Sequence, residues 1–224
     1  QKILDCKHFE LADKSEIEDL INGVLSPKET IWGLFSANFY TNVRADLYLS
    51  GGSSSLFLKA DHDDTYMADK EGTDYRYEKW FKNYSAIEAS GMRCIKVLDT
   101  YELNYATRSD ARVKGVNMLR LPELYYIITE YYLSIDNQTE AVKYFDKVLV
   151  SRGLTGYADR QGATLTLEKV IQERRKELVC EGQYFFTQKR YNQNIYEPKS
   201  GKIYQASNDI YVLPLPENET EYRY

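Results

Sequence analysis

The sequence predicts a mostly α-helical protein built from helix pairs, with long loops and a few short strands. Apolar residues from Leu121 to Ile135 recur at helical spacing, and Pro122 stands in the first turn, where proline is tolerated. A second helical stripe follows a turn at Asp136–Asn137, and Gly153 lies just past its end as a C-cap. Two helices joined by so short a turn form an antiparallel hairpin, the unit of helical repeat proteins.

A third helix is predicted to carry charge on the face that points inward. Thr166 is its N-cap, and the helix runs to about Gly182. Its inward stripe comprises Leu167, Val170, Ile171, Arg174, Leu178 and Glu181. Buried ions need partners, because removing an unpaired charge from water is costly. We therefore expect a structural ion-pair network that comprises Arg120, Glu123, Arg174, Glu177 and Glu181.

Residues 1–26 are predicted to be the end of a truncated helical repeat. Residues 1–7 have the pattern of the last turns of an amphipathic helix without a preceding cap. Ser15 to Leu25 has apolar residues at helical spacing behind a capping serine, and Ser26–Pro27 ends this second helix. This part of the chain is therefore expected to be helical.

Residues 27–117 are predicted to be a loop-rich segment with short strands. Residues 30–35 are apolar without alternation, which indicates a buried strand with Trp32 in the core. Residues 36–74 are rich in Ser, Gly, Asp and Asn, and a loop of that length is often functional. Short strands are expected at 93–100 and 112–116.

Composition and charge argue against several classes of function. The net charge of −5 offers no basic surface for nucleic acid, and no apolar run approaches 18 residues. The three cysteines are far apart in the sequence and are interpreted as small apolar core residues. Because the chain has only two histidines, neither a metal site nor a cofactor is expected. No nucleophile–base arrangement is evident, and the acids of Asp61–Asp64 are interpreted as solvated turn residues, with a bound calcium ion as the alternative.

Three blocks of sequence resemble the SusD/RagB family of surface glycan-binding lipoproteins. Residues 120–125 are similar to an R-x-x-E-x-Y helix start, residues 173–182 to an E-R-R-x-E-L-x-x-E-G helix, and residues 213–216 to an L-P-I-P strap. Weaker similarities lie upstream, where 29–32 resembles E-x-I-F and 74–76 resembles D-x-R. The chain departs from the family pattern after the Glu-Gly pair, where an Arg-aromatic-x-Asp-Leu run is usual and Tyr184–Gln188 stands instead.

The resemblance implies a SusD-like C-terminal region over residues 1–224, in which tetratricopeptide-like helix pairs support long loops. Residues 118–224 would then be the helical signature region, with residues 209–216 as an extended strap. The implied function is non-catalytic binding of oligosaccharide or polysaccharide at the outer-membrane surface. The implied partners are a glycan and a SusC-type TonB-dependent transporter, with membrane attachment only through a lipid anchor outside this chain.

Glycan recognition requires an aromatic face against the apolar side of a sugar ring, with polar groups for the hydroxyls. The chain has 21 Tyr, 8 Phe and 2 Trp. In the family, loop aromatics form the platform, and the corresponding candidates are Tyr40, Asn42, Tyr48, Tyr66 and Trp80. The alternative is a helical-repeat scaffold that binds proteins through exposed tyrosines of the helix pair, at Tyr125, Tyr126, Tyr132 and Tyr144.

Overall fold

The computed structural model describes residues 2–17, 20, 23–36, 66, 73–85, 90–94, 96, 114–197 and 200–212. The chain divides into two compact units, Gln1–Glu181 and Gly182–Tyr224. Helices outweigh strands in the described residues, so the predicted mostly α-helical fold with a few short strands is confirmed.

The N-terminal part contains less helix than the sequence predicts. Helix α1 spans Lys2–Asp5, and residues 14–17 form a turn. Strand β1, Gly23–Val24, occupies the end of the segment that was predicted to be helical up to Leu25. The helical prediction for 15–25 is therefore wrong at this end, because Gly23 and Val24 pair antiparallel with a distant strand at Gly115 and Lys114. Local apolar spacing does not report such a partner.

A three-stranded sheet, in which Lys114–Arg120 lies between Gly23–Val24 and Thr30–Phe35, joins parts of the chain that the sequence assigned to different segments. Strand β2 spans Thr30–Phe35, the predicted bounds, and pairs antiparallel with the strand Lys114–Arg120, here β5. The inner face is packed so closely that a Cβ on Gly33 would lie 2.4 Å from Leu25 Cδ2. The outer face is open, and Trp32 is 56% exposed. The prediction that Trp32 lies in the core is wrong, because its ring lies on the open face of the sheet together with the exposed Leu34.

Between β2 and β5 the described residues form a helix and a hairpin. Helix α2 spans Tyr75–Trp80 and runs directly into β3, Phe81–Ser85, which pairs antiparallel with β4, Ser90–Cys94. Of the strand expected at 93–100, residues 93 and 94 are the end of β4, and residues 95 and 97–100 lie outside the described residues. The strand expected at 112–116 is β5, which begins at Lys114 and extends to Arg120. The core of this region comprises Ala12, Ile17, Leu20, Tyr66, Trp80, Phe81 and Cys94.

The helix hairpin has the predicted form. Helix α3 spans Leu121–Ser134 and helix α4 spans Gln138–Ser151. The Asn137 side chain caps α4 by accepting a hydrogen bond from the Glu140 N–H at 3.1 Å. Gly153 has a φ of +85°, as a C-terminal glycine should. The hairpin encloses a core of Tyr126, Ala141, Phe145, Val148, Leu149, Leu154, Leu165 and Val170.

The third long helix, α5, spans Leu167–Glu177 and is capped by Thr166, as predicted. It ends before Gly182, because Cys180 adopts a left-handed φ of 61° that interrupts the helix. Leu167, predicted to point inward, is exposed. The buried face of α5 instead comprises Val170, Glu173, Arg174, Lys176 and Glu177. The inward face of this helix is therefore more strongly charged than the sequence pattern indicates.

The second compact unit contains short elements. Helix α6 spans Tyr184–Arg190, strands β6 (Ile195–Glu197) and β7 (Lys202–Tyr204) form an antiparallel hairpin, and α7 spans Asn208–Tyr211. The extended strap predicted for 209–216 therefore begins in a helical turn, and its residues 213–216 lie outside the described residues.

Candidate functional site

Ten charged side chains of the first compact unit form one connected network of ion pairs, which we call the ion clamp. Its acids are Glu29, Asp74, Glu173, Glu177 and Glu181, and its bases are Arg76, Lys96, Arg120, Arg152 and Lys176. The side chains are buried, and the five acids balance the five bases. Neutrality and mutual pairing are what make burial of so many ions tolerable.

Glu177 of α5 is the centre of the ion clamp. The Nε of Arg152 donates to Glu177 Oε2 at 3.0 Å, and Arg120 Nη1 donates to Oε1 at 2.8 Å. Arg76 Nη1 lies 3.4 Å from Oε2. Burial opposes ionisation, but the charges of Arg152 and Arg120 outweigh it and hold the Glu177 pKa well below its ordinary value. Glu177 is therefore a buried carboxylate that stays charged.

Glu29 connects the clamp to the start of β2 and the N-terminal segment. Arg152 Nη2 donates to both Glu29 carboxylate oxygens, at 2.9 and 3.1 Å. The backbone N–H of Ala12 donates to Glu29 Oε1 at 2.7 Å, and Arg152 Nη1 donates to the Ala12 carbonyl at 3.2 Å. These bonds satisfy a buried carboxylate and fix residues about 140 positions apart in the chain.

Asp74 and Arg76 join α2 to α5. Asp74 caps α2 by accepting from the Arg76 N–H at 3.0 Å, and its carboxylate also accepts from Arg76 Nη2 at 2.7 Å. Arg76 Nη2 donates to Glu173 at 2.7 Å, and Lys176 Nζ forms an ion pair with Glu173 at 2.5 Å. Although burial opposes ionisation of Asp74, the adjacent Arg76 charge lowers its pKa. The residue that caps α2, Asp74, thus also forms an ion pair with Lys176 of α5.

Lys96, Arg120 and Glu181 form the end of the clamp nearest β4. Glu181 accepts from Arg120 Nη2 at 2.7 Å and also pairs with Lys96. Lys96 Nζ donates to the Glu177 carbonyl at 2.7 Å and lies 4.0 Å from the centroid of the Trp80 ring. Burial lowers the Lys96 pKa, and the Glu181 charge opposes that shift without cancelling it.

The five residues predicted to form one network all lie in ion pairs, but they belong to two separate groups. Arg120, Glu177 and Glu181 are in the ion clamp, whereas Arg174 pairs with Glu123. The sequence-based prediction did not include the other seven clamp members, which are Glu29, Asp74, Arg76, Lys96, Arg152, Glu173 and Lys176. All of them except Lys96 and Arg152 stand inside the motif similarities noted above, which was the available signal. Nothing local marks Lys96 or Arg152.

Two of the predicted sugar-contacting rings are buried. Trp80 is 0% exposed, its Nε1–H donates to the Ile17 carbonyl at 2.9 Å, and Lys96 covers its face. Tyr66 packs against Phe81 and donates its hydroxyl to the Lys176 carbonyl at 2.8 Å. Neither ring has a face free for a sugar, so both predictions are corrected. Tyr40, Asn42 and Tyr48 lie outside the described residues.

The comparison with known proteins decides the family. The sequence matches the model of the SusD family over residues 39–223. The chain belongs to the SusD family.

Solved structures of the SusD superfamily have the same fold. A SusD-like carbohydrate binding protein from Bacteroides vulgatus ATCC 8482 superposes with a TM-score of 0.70 at 16% identity, covering 98% of this chain and 52% of that one. A SusD superfamily protein from Bacteroides thetaiotaomicron VPI-5482 gives 0.68 at 19% identity, with 96% and 51% covered. The chain thus spans about half the length of these proteins. A search of curated proteins found no match.

Seven charged residues of the SusD-family motifs belong to the ion clamp, whereas Glu123 and Arg174 of the same motifs pair with each other. Glu29 comes from the E-x-I-F block, Asp74 and Arg76 from D-x-R, and Arg120 from R-x-x-E-x-Y. The E-R-R-x-E-L-x-x-E-G block supplies Glu173, Glu177 and Glu181. What the sequence presents as a family signature is therefore, in this SusD-family chain, a set of mutually paired buried ions.

The tyrosines of the alternative scaffold hypothesis lie mostly inside the hairpin of this SusD-family chain. Tyr126 and Tyr144 are buried, and Tyr132 stacks on Tyr144 with ring centroids 5.6 Å apart. Tyr125 is half-buried and borders an open groove of about 620 Å³ beside Phe9–Leu11. Tyr131, at 58% exposure, is the tyrosine of α3 that faces solvent most.

Within the described parts of the chain, no helix is long and apolar enough to cross a membrane. Over the same residues, no cluster of three or more His, Cys, Asp or Glu side chains is arranged to hold a metal ion. The Asp61–Asp64 acids lie outside these residues.

Proposed function

We propose that this chain is part of a non-catalytic cell-surface protein that binds oligosaccharide or polysaccharide and delivers it to a TonB-dependent outer-membrane transporter. The observation that carries the proposal is the SusD-family match over residues 39–223. The likeness to a SusD-like carbohydrate binding protein supports it. The proposal includes attachment to the outer membrane by a lipid anchor outside this chain and a SusC-type partner.

The chemistry of the buried carboxylates supports binding without turnover. A glycosidase needs a general acid whose pKa is raised, facing a second carboxylate across a cleft. In the ion clamp the pKa values of Glu177 and Asp74 are lowered instead, because arginine charges outweigh the effect of burial. Both carboxylates are occupied by ion pairs, so neither is available to protonate a glycosidic oxygen.

We propose Trp32 as a sugar-contacting residue in place of Trp80. Its ring lies on the open face of β2, with Leu34 of the same strand also exposed. Tyr40, Asn42 and Tyr48 follow β2 closely along the chain. An exposed indole is suited to stack on the apolar face of a sugar, and the tyrosine and amide groups that follow in the sequence are suited to its hydroxyls.

The test is affinity electrophoresis on gels that contain single polysaccharides, run with the protein and its Trp32→Ala and Tyr48→Ala variants. We expect retention on at least one polysaccharide, and a roughly tenfold weaker Kd for each variant, since loss of a stacked ring costs about 1.5 kcal/mol. The matched control is Tyr131→Ala, which removes an equally exposed ring from α3 and should leave retention unchanged.

Absence of retention on every polysaccharide, with circular dichroism showing a folded protein, would contradict glycan binding. Weakened retention in Tyr131→Ala but not in Trp32→Ala would move the site to the helix pair. Capture of a protein partner that depends on Tyr131, without any glycan retention, would favour the helical-repeat scaffold.

A further inference from the structure

Two of the three cysteines, 86 positions apart in sequence, meet in the fold. Cys94 is the last residue of β4 and is buried beside Trp80 and Phe81. Cys180 follows α5, where the chain turns with a left-handed φ of 61°, and the residue is exposed. The Cys94 thiol donates a hydrogen bond to the Cys180 sulfur. The third cysteine, Cys6, is exposed on α1's C-terminal side and bonds its own helix at Ile3.

The ion clamp holds the two thiols together. Lys96 lies two residues after Cys94, and Glu181 directly follows Cys180. Lys96 pairs with Glu181 and donates to the Glu177 carbonyl at 2.7 Å, which fixes Lys96 against the end of α5. A buried ion pair next to the two cysteines therefore holds their segments together.

From this geometry we propose that Cys94 and Cys180 are a modification site, at which a low-molecular-weight disulfide oxidises them to an intramolecular disulfide bond. The proposal is independent of glycan binding. An oxidising extracytoplasmic environment, which the proposed surface location would provide, favours the oxidised form.

Cys180 is the thiol that reacts first. The hydrogen bond from Cys94 lowers the Cys180 pKa and outweighs the opposite effect of burial, and the nearby Lys96 charge acts in the same direction as the hydrogen bond. Burial raises the Cys94 pKa, and donation to Cys180 raises it further. The Cys180 thiolate therefore attacks the reagent disulfide, which forms one new S–S bond and releases one reagent thiolate. The buried Cys94 remains a thiol at this stage.

The second exchange closes the bond within the chain. Cys94 gives up its proton and attacks the Cys180 sulfur, and the second half of the reagent leaves as a thiol. The balance is two protein thiols and one reagent disulfide converted into one protein disulfide and two reagent thiols. The new bond would close a loop of 86 residues between β4 and the end of α5, which restricts the unfolded chain.

The experiment treats the folded protein with oxidised glutathione, alkylates the remaining thiols with iodoacetamide and identifies the peptides by mass spectrometry without reductant. We expect a cross-linked peptide pair joining Cys94 to Cys180, a melting temperature higher by roughly 5–15 °C, and reversal of both by dithiothreitol. Cys94→Ser should stop at a stable glutathione adduct on Cys180. Cys6→Ser is the matched control and should still form the cross-link.

Recovery of Cys94 and Cys180 as thiols after this treatment, while Cys6 carries glutathione, would overturn the proposal. Recovery as two separate glutathione adducts on a folded protein would overturn it equally, since the thiols would then be unable to reach each other. A cross-link that involves Cys6 in place of either residue would also count against it.

Discussion

Glu177 illustrates why a buried residue is hard to interpret from sequence. The pattern of α5 predicts that its inward face carries charge and that Glu177 is paired, and both statements hold. The arginines that keep it ionised, Arg152, Arg120 and Arg76, lie 25, 57 and 101 positions away. No periodicity in the sequence relates those positions. The local sequence is enough to predict that Glu177 is buried and paired, whereas its partners are set by how distant elements pack.

The pH dependence of stability should report Glu177. Its pKa in the folded protein is lowered from the ordinary 4.5, so its stabilising contribution is complete above about pH 4.5 and is lost as the pH falls below that value. Glu177→Gln should lower the free energy of unfolding at pH 7 by about 3–5 kcal/mol, because three arginines lose a shared anion. It should also reduce the fall in stability between pH 4.5 and more acidic values, as measured by urea denaturation.

Glu140→Gln is the control for this prediction. Glu140 pairs with Lys143 on the solvent side of α4, where ion pairs contribute little, so its unfolding free energy should be nearly unchanged. If Glu177→Gln were as stable at pH 7 as this control, Glu177 would not be the centre of the clamp.

Among the elements, helices were predicted well and the strands only in part. The hairpin of α3 and α4 follows from local spacing, a cap and a C-terminal glycine, all of which lie within the element. The segment from Ser15 to Leu25 also has helical spacing, but β1 pairs with β5 there. Strand pairing brings in a residue about 90 positions away, and this nonlocal contact overrides local propensity.

The connection after α4 gives a prediction at this scale. Gly153 has a φ of +85°, and a Cβ there would lie 2.4 Å from the Thr73 carbonyl oxygen and 2.6 Å from the Tyr75 ring. Gly162 has a similar φ of +71° with open space around it. Gly153→Ala should cost about 3 kcal/mol of unfolding free energy, and Gly162→Ala about 1 kcal/mol, since only backbone strain applies to the second. Equal losses in urea denaturation would refute the close approach.

For the first compact unit as a whole, the ion clamp connects elements that local contacts leave apart. It joins the residue before β2, the start of α2, the end of β5, the C-cap of α4 and the C-terminal half of α5. The family motifs supply the charges for most of these positions. The motifs are thus recognisable in the sequence because their charged residues belong to one buried network. Since that network is structural, the motifs say little about which ligand the protein binds.

A double-mutant cycle tests whether the clamp acts as a unit. Glu29→Gln and Arg152→Met each leave a buried partner without its counter-charge, so the double variant should lose at least about 1 kcal/mol less than the sum of the two. The control pairs Arg152→Met with Asn137→Ala, at the opposite end of α4 and roughly 20 Å away. These two should be additive within about 0.5 kcal/mol in urea denaturation. Additivity in both cycles would contradict a shared network.

By itself the sequence determined the helix hairpin, the Thr166 cap, the charged inward face of α5 and the membership of a family, because each depends on residues close together in the chain. The tertiary structure alone decided that Trp80 is enclosed and Trp32 open, that residues near Gly23 form a strand, and which arginine meets which carboxylate. It also brought Cys94 to Cys180. Burial and pairing depend on which distant elements pack together, and a local sequence pattern does not contain that information.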